Sequence, residues 1–208
     1  MLYLEGATDL SVLRAFADRL GHPAKQALDS PSVHYVGNDT QKVARHFQAL
    51  KEAKPDVVGL ALFDRLDRIP RDAGATILSW SRREIENYLL HPAVLEAWAR
   101  RNRDTPNQEQ DLFSEARVSA MREAIARIAS AQRDLGKDIW SPDIKATDDV
   151  LDPVFRLYFE QTRQSILFRK ADYHELVGFI QPAEIDPEVT VKLDAIHTAF
   201  LGARPRQD

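Results

Sequence analysis

The chain contains no cysteine, which excludes disulfides and thiolate metal sites and fits a reducing compartment. It contains no apolar run near the roughly 20 residues needed to span a bilayer. No signal-type segment precedes its first apolar run, so a cytoplasmic location and no membrane partner are expected. It lacks a basic excess: the formal net charge is −4, which argues against stand-alone, high-affinity DNA binding. Cleavage of DNA stays open, because bound divalent ions would dominate the charge of a site. There is no GxxxxGK[ST] phosphate loop, no GxGxxG fingerprint and no GxSxG elbow. The chain therefore carries no ATPase, dinucleotide or serine-hydrolase signature. Its six histidines show no HExxH spacing and have no cysteine companions, which argues against zinc.

What is present is an ordinary globular composition over 208 residues, 44% hydrophobic and 29% charged, enough for one large domain or two small ones. Up to about residue 90, strand-like and helix-like segments alternate, the pattern of a parallel sheet with crossover helices. Strands are expected at Leu2–Leu4, Ser32–Val36, Asp56–Phe63 and Thr76–Ser79. A helix is expected from Thr8 as N-cap to a stop at Gly21, and another from Asp39 or Thr40 to Lys54, each with apolar residues on one face. Ile69–Gly74 reads as a loop. Beyond Glu84 the pattern becomes helical, with helices expected over 84–90, 92–101, 107–134, 148–162, 170–181 and 187–201. Loops are expected at Asn102–Asn107 and Gly136–Ala146. The expected organisation is a core over 1–90, a helical subdomain over 91–163, and C-terminal helices over 164–208 returning toward the core. A first strand at residue 2, ending in a functional glutamate, suggests a domain cut from a longer chain, with a native short protein as the alternative.

Three acidic constellations sit where apolar runs end. Leu2-Tyr3-Leu4 ends in Glu5-Gly6, with Asp9 four residues after the glutamate. Val57–Phe63 ends in Asp64, with Asp67 three further on, and Glu84 and Glu86 lie in Arg83-Glu84-Ile85-Glu86-Asn87-Tyr88-Leu89. Carboxylates at the ends of buried strands are costly to desolvate unless they meet a cation or a partner, and the carboxyl ends of parallel strands are where ligands bind. The competing readings are a solvated Glu5, a dipole-complementing Asp9 in a first helical turn, and an Asp67 paired with Arg65 or Arg68. Glu84 and Glu86 would point apart in a helix, so one is expected to face the site and the other to be solvated or paired with Arg82 or Arg83. Oxygen ligands favour magnesium, manganese or calcium. Lys170 opens a helical segment beside Arg169, where two cations oppose the macrodipole. That conflict marks either a site or a solvated surface. Trp80, Trp98 and Trp140 read as core or interface residues.

At these residues the chain resembles the topoisomerase–primase (TOPRIM) fold, with a glutamate after the first strand and an acidic pair after the third. Together with Glu84–Leu89, they resemble the C-terminal region of overcoming-lysogenization-defect (OLD) family nucleases. The resemblance implies an α/β, Rossmann-like sheet of about four mostly parallel strands with a helical subdomain. It also implies an N-terminal ABC-type ATPase domain in the full chain and DNA as substrate. Carried over, Glu5, Asp9, Asp64 and the Glu84/Glu86 pair would hold two divalent cations, Mg2+ or Mn2+, while Ca2+ could bind without supporting activity. Lys170 would match the family's active-site lysine in its Lys-x-x-Tyr context with Tyr173, acting beside Glu5 and Asp64. One departure is that the usual Asp-x-Asp is here Asp64-Arg65-Leu66-Asp67, which puts Asp67 in question. The expected activity is low-specificity, metal-dependent endonuclease cleavage. A metal-dependent phosphatase or phosphotransferase on a small substrate and a non-catalytic cation-binding module are the alternatives. Oligomeric state is open.

Overall fold

The computed structural model describes residues 1–70, 74–101, 113–164 and 168–204. The expected loop at Asn102–Asn107, the first residues of the helix expected from 107, the middle of the Ile69–Gly74 loop and the last four residues lie outside them. The chain forms two compact units: Met1–Ser81 with Pro182–Asp208, and Arg82–Gln181. The division therefore falls at 81/82 and 181/182 rather than at 90 and 163. Segment 164–208 is split, because Lys170 packs within the helical unit while the last helix completes the sheet unit.

The first unit is α/β. Strands β1 (Leu2–Leu4), β2 (Val33–Tyr35), β3 (Leu60–Phe63) and β4 (Thr76–Ser79) form a four-stranded sheet in the order β2-β1-β3-β4. All three pairings are parallel, with Leu2 opposite both Val33 and Leu60, and Leu60 opposite Thr76. β1 and β3 are buried at every residue, as central parallel strands covered on both faces must be. β3 is half the expected length: a turn in which the Val57 N–H donates to the Lys54 carbonyl at 3.0 Å still occupies its first residues, and the three-residue β1 offers no longer partner.

Helix α1 (Ala7–Arg19) is capped at Gly6, two residues before the expected Thr8, and the Asp9 carboxylate accepts the Gly6 N–H there at 2.7 Å. Gly21 ends the turn after it in the left-handed region, φ 60°, as a glycine stop requires. A six-residue helix α2 (Ala24–Asp29) follows that the sequence reading did not foresee; it is too short to show a helical period. Helix α3 (Thr40–Ala53) is capped by Asp39, whose side chain accepts the N–H groups of Gln41 (2.9 Å) and Lys42 (3.1 Å). α3 sends Val43 and Phe47 into a core with Tyr3, Val36, Ala61, Phe63 and Ile77. Phe47 lies so close to the chain entering β3 that a Cβ on Gly59 would stand 2.3 Å from its ring.

Over this core the His34 and His46 imidazoles stack at 4.1 Å and 3°, and the Tyr3 hydroxyl meets His46 Nδ1 at 2.9 Å. Burial pushes the Tyr3 phenol up to about 12, so it donates and His46 Nδ1 accepts. Burial and then the neighbouring His34 hold His46 below its ordinary value. A folded-state value below the unfolded one means that acid favours the unfolded chain. Stability is therefore expected to be full above pH about 6.5 and to fall as pH drops below it. Thermal midpoints at pH 7.5 and 5.5 check this: His46→Gln should flatten the difference, and an equal acid loss in that variant would refute the assignment.

The second unit is helical among its described residues. Helices α4 (Pro92–Arg100), α5 (Ser114–Asp134) and α6 (Asp152–Thr162) pack together. The Arg117 guanidinium closes the end of α4 by donating to the carbonyls of Ala99 (3.0 Å) and Arg100 (2.8 Å). A wide π turn, Ala146–Leu151, runs into α6. Pro153 has no N–H to reach the Asp149 carbonyl, and that carbonyl instead accepts Gln132 Nε2 at 2.9 Å. Trp98, Phe155, Phe159, Phe168 and Tyr173 form an aromatic cluster with centroids about 5–6 Å apart. Trp98 and Trp80 are core residues as expected, whereas Trp140 is exposed. The segments expected as α-helices at 84–90 and 170–181 are tighter 3-10 helices, Ile85–Tyr88 and Lys170–Phe179. Among the described residues no helix is long and apolar enough to cross a membrane.

Helix α7 (Pro187–Leu201), with Pro187 at its first position and Asp186 capping the Glu188 N–H at 2.9 Å, belongs to the sheet unit. It buries Val189, Leu193 and Ile196 and packs on α1 and α2. Its Glu188 carboxylate accepts the Ser81 N–H at 3.0 Å, while Lys192 bridges Glu188 (3.1 Å) and the Trp80 ring (5.8 Å).

Candidate active site

In the sheet unit the carboxyl edge is built from β1, β3 and β4. Glu5 directly follows β1 and Asp64 directly follows β3. The Glu5 carboxylate accepts the Asp64 N–H at 2.9 Å through Oε1, so two of the sequence-nominated residues meet. Both are half-buried. Ser79, at the end of β4, fixes the same turn: its Oγ donates to the Asp64 carbonyl (3.0 Å) and accepts the Leu66 N–H (2.8 Å). Sequence reasoning passed over Ser79, although a hydroxyl closing a strand beside two acidic strand ends was a usable signal. On the other side the Glu5 carbonyl accepts the Gly37 N–H at 3.1 Å, and Gly37 turns there at φ 61°.

Asp9 is held at the start of α1 by its bond to the Gly6 N–H, the local helix-start role that competed with a ligand role for it. Asp67 is exposed in the turn after β3, and among the described residues no hydrogen bond or ion pair joins it to Glu5 or Asp64. The additional residue in Asp64-Arg65-Leu66-Asp67 carries it past the strand end.

In the helical unit both Glu84 and Glu86 are buried, at 7% and 1% exposure, which corrects the expectation that one of them would be solvated. Glu84 precedes the 3-10 turn in extended conformation, and the whole stretch from 84 to 90 is buried, so both glutamates lie inside. Glu84 Oε1 accepts the backbone N–H of Thr147, the second residue of the π turn. Glu86 Oε1 lies 3.1 Å from Lys170 Nζ, a buried carboxylate paired with an ammonium. Burial pushes Glu86 up to about 7, opposed by the Lys170 charge and reinforced by Glu84. Strong shifts from burial plus a specific charge partner are a mark of functional positions. The lysine side chain is partly exposed at 42%, so the pair reaches the surface at its cationic end.

The segment carrying Lys170 resolves its conflict with the helix dipole through Asp172, whose carboxylate accepts the Arg169 N–H at 2.9 Å. One turn on, the buried Tyr173 hydroxyl donates to Asp152 Oδ1, and burial followed by that bond raises the phenol above its ordinary value. Asp152 and Thr147 had no local sequence signal, because their partners stand 21 and 63 positions away.

Within the sheet unit the donor chemistry of Glu5 and Asp64, carboxylate oxygens only, fits a hard divalent cation. Among the described residues no three His, Asp or Glu side chains are grouped to hold an ion, so the arrangement offers carboxylates in twos within the sheet unit and within the helical unit. Comparison with protein-family models, with curated proteins and with solved structures gives no match.

Proposed function

We propose that this chain is the catalytic region of a metal-dependent endonuclease of the OLD type, with a TOPRIM-like sheet, that cleaves the DNA backbone with little sequence specificity. The observation that carries the reading is the Lys170–Glu86 pair. The two residues were nominated by separate motifs, and they stand 3.1 Å apart in the helical unit. The Glu5–Asp64 contact at the carboxyl edge of the sheet supports it from the other unit. Cytoplasmic location, an ATPase domain in the full chain and DNA as partner belong to the same proposal.

Within the sheet unit, Glu5 and Asp64 would hold a cation, Mg2+ or Mn2+. Bound there, the metal would supply the Lewis acidity that activates water and stabilises the leaving oxygen. Within the helical unit, Glu86 orients Lys170, whose ammonium neutralises charge developing on a phosphate oxygen. Binding would rest mainly on phosphates, as low sequence specificity requires.

Nicking of supercoiled plasmid tests the proposal. Manganese is expected to support activity at least as well as magnesium, because its geometric demands are looser and its affinity for oxygen and nitrogen ligands higher. Calcium should bind without supporting cleavage. Activity with zinc alone would count against the carboxylate site. Turnover of para-nitrophenyl phosphate without nicking would point to a small-substrate phosphatase, and saturable Mn2+ binding with neither activity to a regulatory module.

A further inference from the structure

At the amino edge of its sheet, opposite the edge that carries Glu5 and Asp64, the sheet unit holds an open cavity of about 480 Å³. It is lined by Leu2 and Leu60, the first residues of β1 and β3, and by Ile196, Ala199 and Phe200 from the end of α7. Leu2 and Glu5 are three residues apart, so roughly 10 Å of strand separates the cavity from the Glu5–Asp64 contact. A space of this size is far larger than a packing void and lies in the range of small-molecule sites. The backbone at its base is already bonded: the Leu2 N–H donates to the Ser32 carbonyl at 2.8 Å and the Leu60 N–H to the Met1 carbonyl at 3.1 Å. A polar ligand gains nothing from those groups, and an apolar one leaves none of them unpaired. Phe200 and the adjoining Leu201, which also lines the cavity, are exposed, apolar surface that a ligand would cover.

The charge at this cavity has one sign. Among the described residues that line it there is no acidic side chain, and Arg204 carries the one charged group, with Ser30 and Ser32 adding hydroxyl donors. Asp56 is held below its ordinary value first by its hydrogen bond to Lys54, at 2.7 Å, and last by the Arg204 charge, so Lys54 is its counter-ion. We propose that the cavity binds a monoanionic amphiphile, a medium-length aliphatic carboxylate whose chain lies against Leu2, Leu60 and Ile196 and whose head group meets Arg204. A planar guanidinium pairs a carboxylate through two parallel hydrogen bonds, and the bonded backbone and apolar walls suit the chain. The site is separate from the Glu5–Asp64 edge and does not depend on the endonuclease reading.

Fluorescence titration of the full chain with a dansyl-labelled undecanoic acid tests this, with octanoate, decanoate, decanol and decyltrimethylammonium as competitors. The probe is expected to bind saturably. Decanoate should displace it at concentrations about tenfold lower than octanoate, as the burial of two more methylenes implies. It should also outcompete decanol by at least about threefold, and decyltrimethylammonium should compete least. Ala199→Trp, which fills the cavity, should weaken decanoate by at least about tenfold. Arg204→Gln should reduce decanoate to the affinity of decanol and leave decanol unchanged. Arg204 is exposed, so its variant keeps the fold and decides the question even where the thermal midpoint of Ala199→Trp falls. The proposal is overturned if no saturable binding is seen, if decanol competes as well as decanoate in the unaltered chain, or if either variant binds as the unaltered chain does. It is also overturned if light scattering shows a dimer that excludes the probe and that Leu201→Asp dissociates, since the face then covers a second copy of the chain.

Discussion

Asp64→Ala is expected to abolish plasmid nicking while leaving the thermal midpoint unchanged or raised. The backbone at Asp64 is held by other residues: its N–H is taken by Glu5 at 2.9 Å and its carbonyl by Ser79 at 3.0 Å. Removing the carboxylate leaves both of those bonds in place. Without a cation, like charges near one another disfavour ionisation, so truncation also relieves repulsion, the usual trade between activity and stability. Glu5 should respond differently, because its carboxylate is the acceptor of that N–H. Glu5→Ala should lose both cleavage and stability, whereas Glu5→Gln should lose cleavage alone. Nicking in magnesium, paired with thermal scans of the three variants, separates these outcomes. Near-normal cleavage by Asp64→Ala would end the assignment of this edge as the reaction site.

The second large effect is expected at Lys170. Lys170→Ala should slow the chemical step by about 10²–10³-fold, the loss typical of one electrostatic stabiliser. Metal binding should survive, because an ammonium has no lone pair to donate, and DNA affinity should fall only slightly, since one phosphate contact among several contributes modestly. Lys170→Arg should restore little, as a planar fork does not replace a compact charge. The structure adds a second signature. With the ammonium gone, the buried Glu86 loses its counter-ion, so destabilisation should appear above pH about 7, where Glu86 is ionised, and fade in acid, where it takes up a proton. A lysine that is merely solvated would show neither the rate loss nor this alkaline sensitivity of the midpoint.

Much of the sheet was legible because parallel central strands must be apolar at every position: Leu2–Leu4 occurs as expected and Val57–Phe63 contains β3, while the edge strand β4 also falls at its expected Thr76–Ser79. Pro187 marked the start of α7, and Gly21 the end of the turn after α1. What escaped were features decided by partners distant in sequence. Nothing near Glu84 indicates that it will meet the Thr147 amide, and nothing near Lys170 names Glu86. The conflict of Arg169 and Lys170 with a helix start was visible, but its resolution by Asp172 and Glu86 required the fold. The 3-10 geometry at 85–88 and 170–179 was likewise illegible, because short segments share their residue pattern with an α-helix. The departure from Asp-x-Asp was the most useful local sign, and Asp67 lies exposed in the turn beyond the strand end.

The sheet unit is discontinuous, with α7 returning after the entire helical unit. During synthesis the residues that bury Val189, Leu193 and Ile196 against α1 and α2 therefore leave the ribosome only after the entire helical unit. A nascent chain halted after Gln181 would hold all of the helical unit, but a sheet unit still missing one side of its cover. Such an intermediate would expose the apolar faces of α1 and α2 to chaperones and to other nascent chains. Aggregation during translation, rather than loss of chemistry, is then the natural consequence of damage to α7.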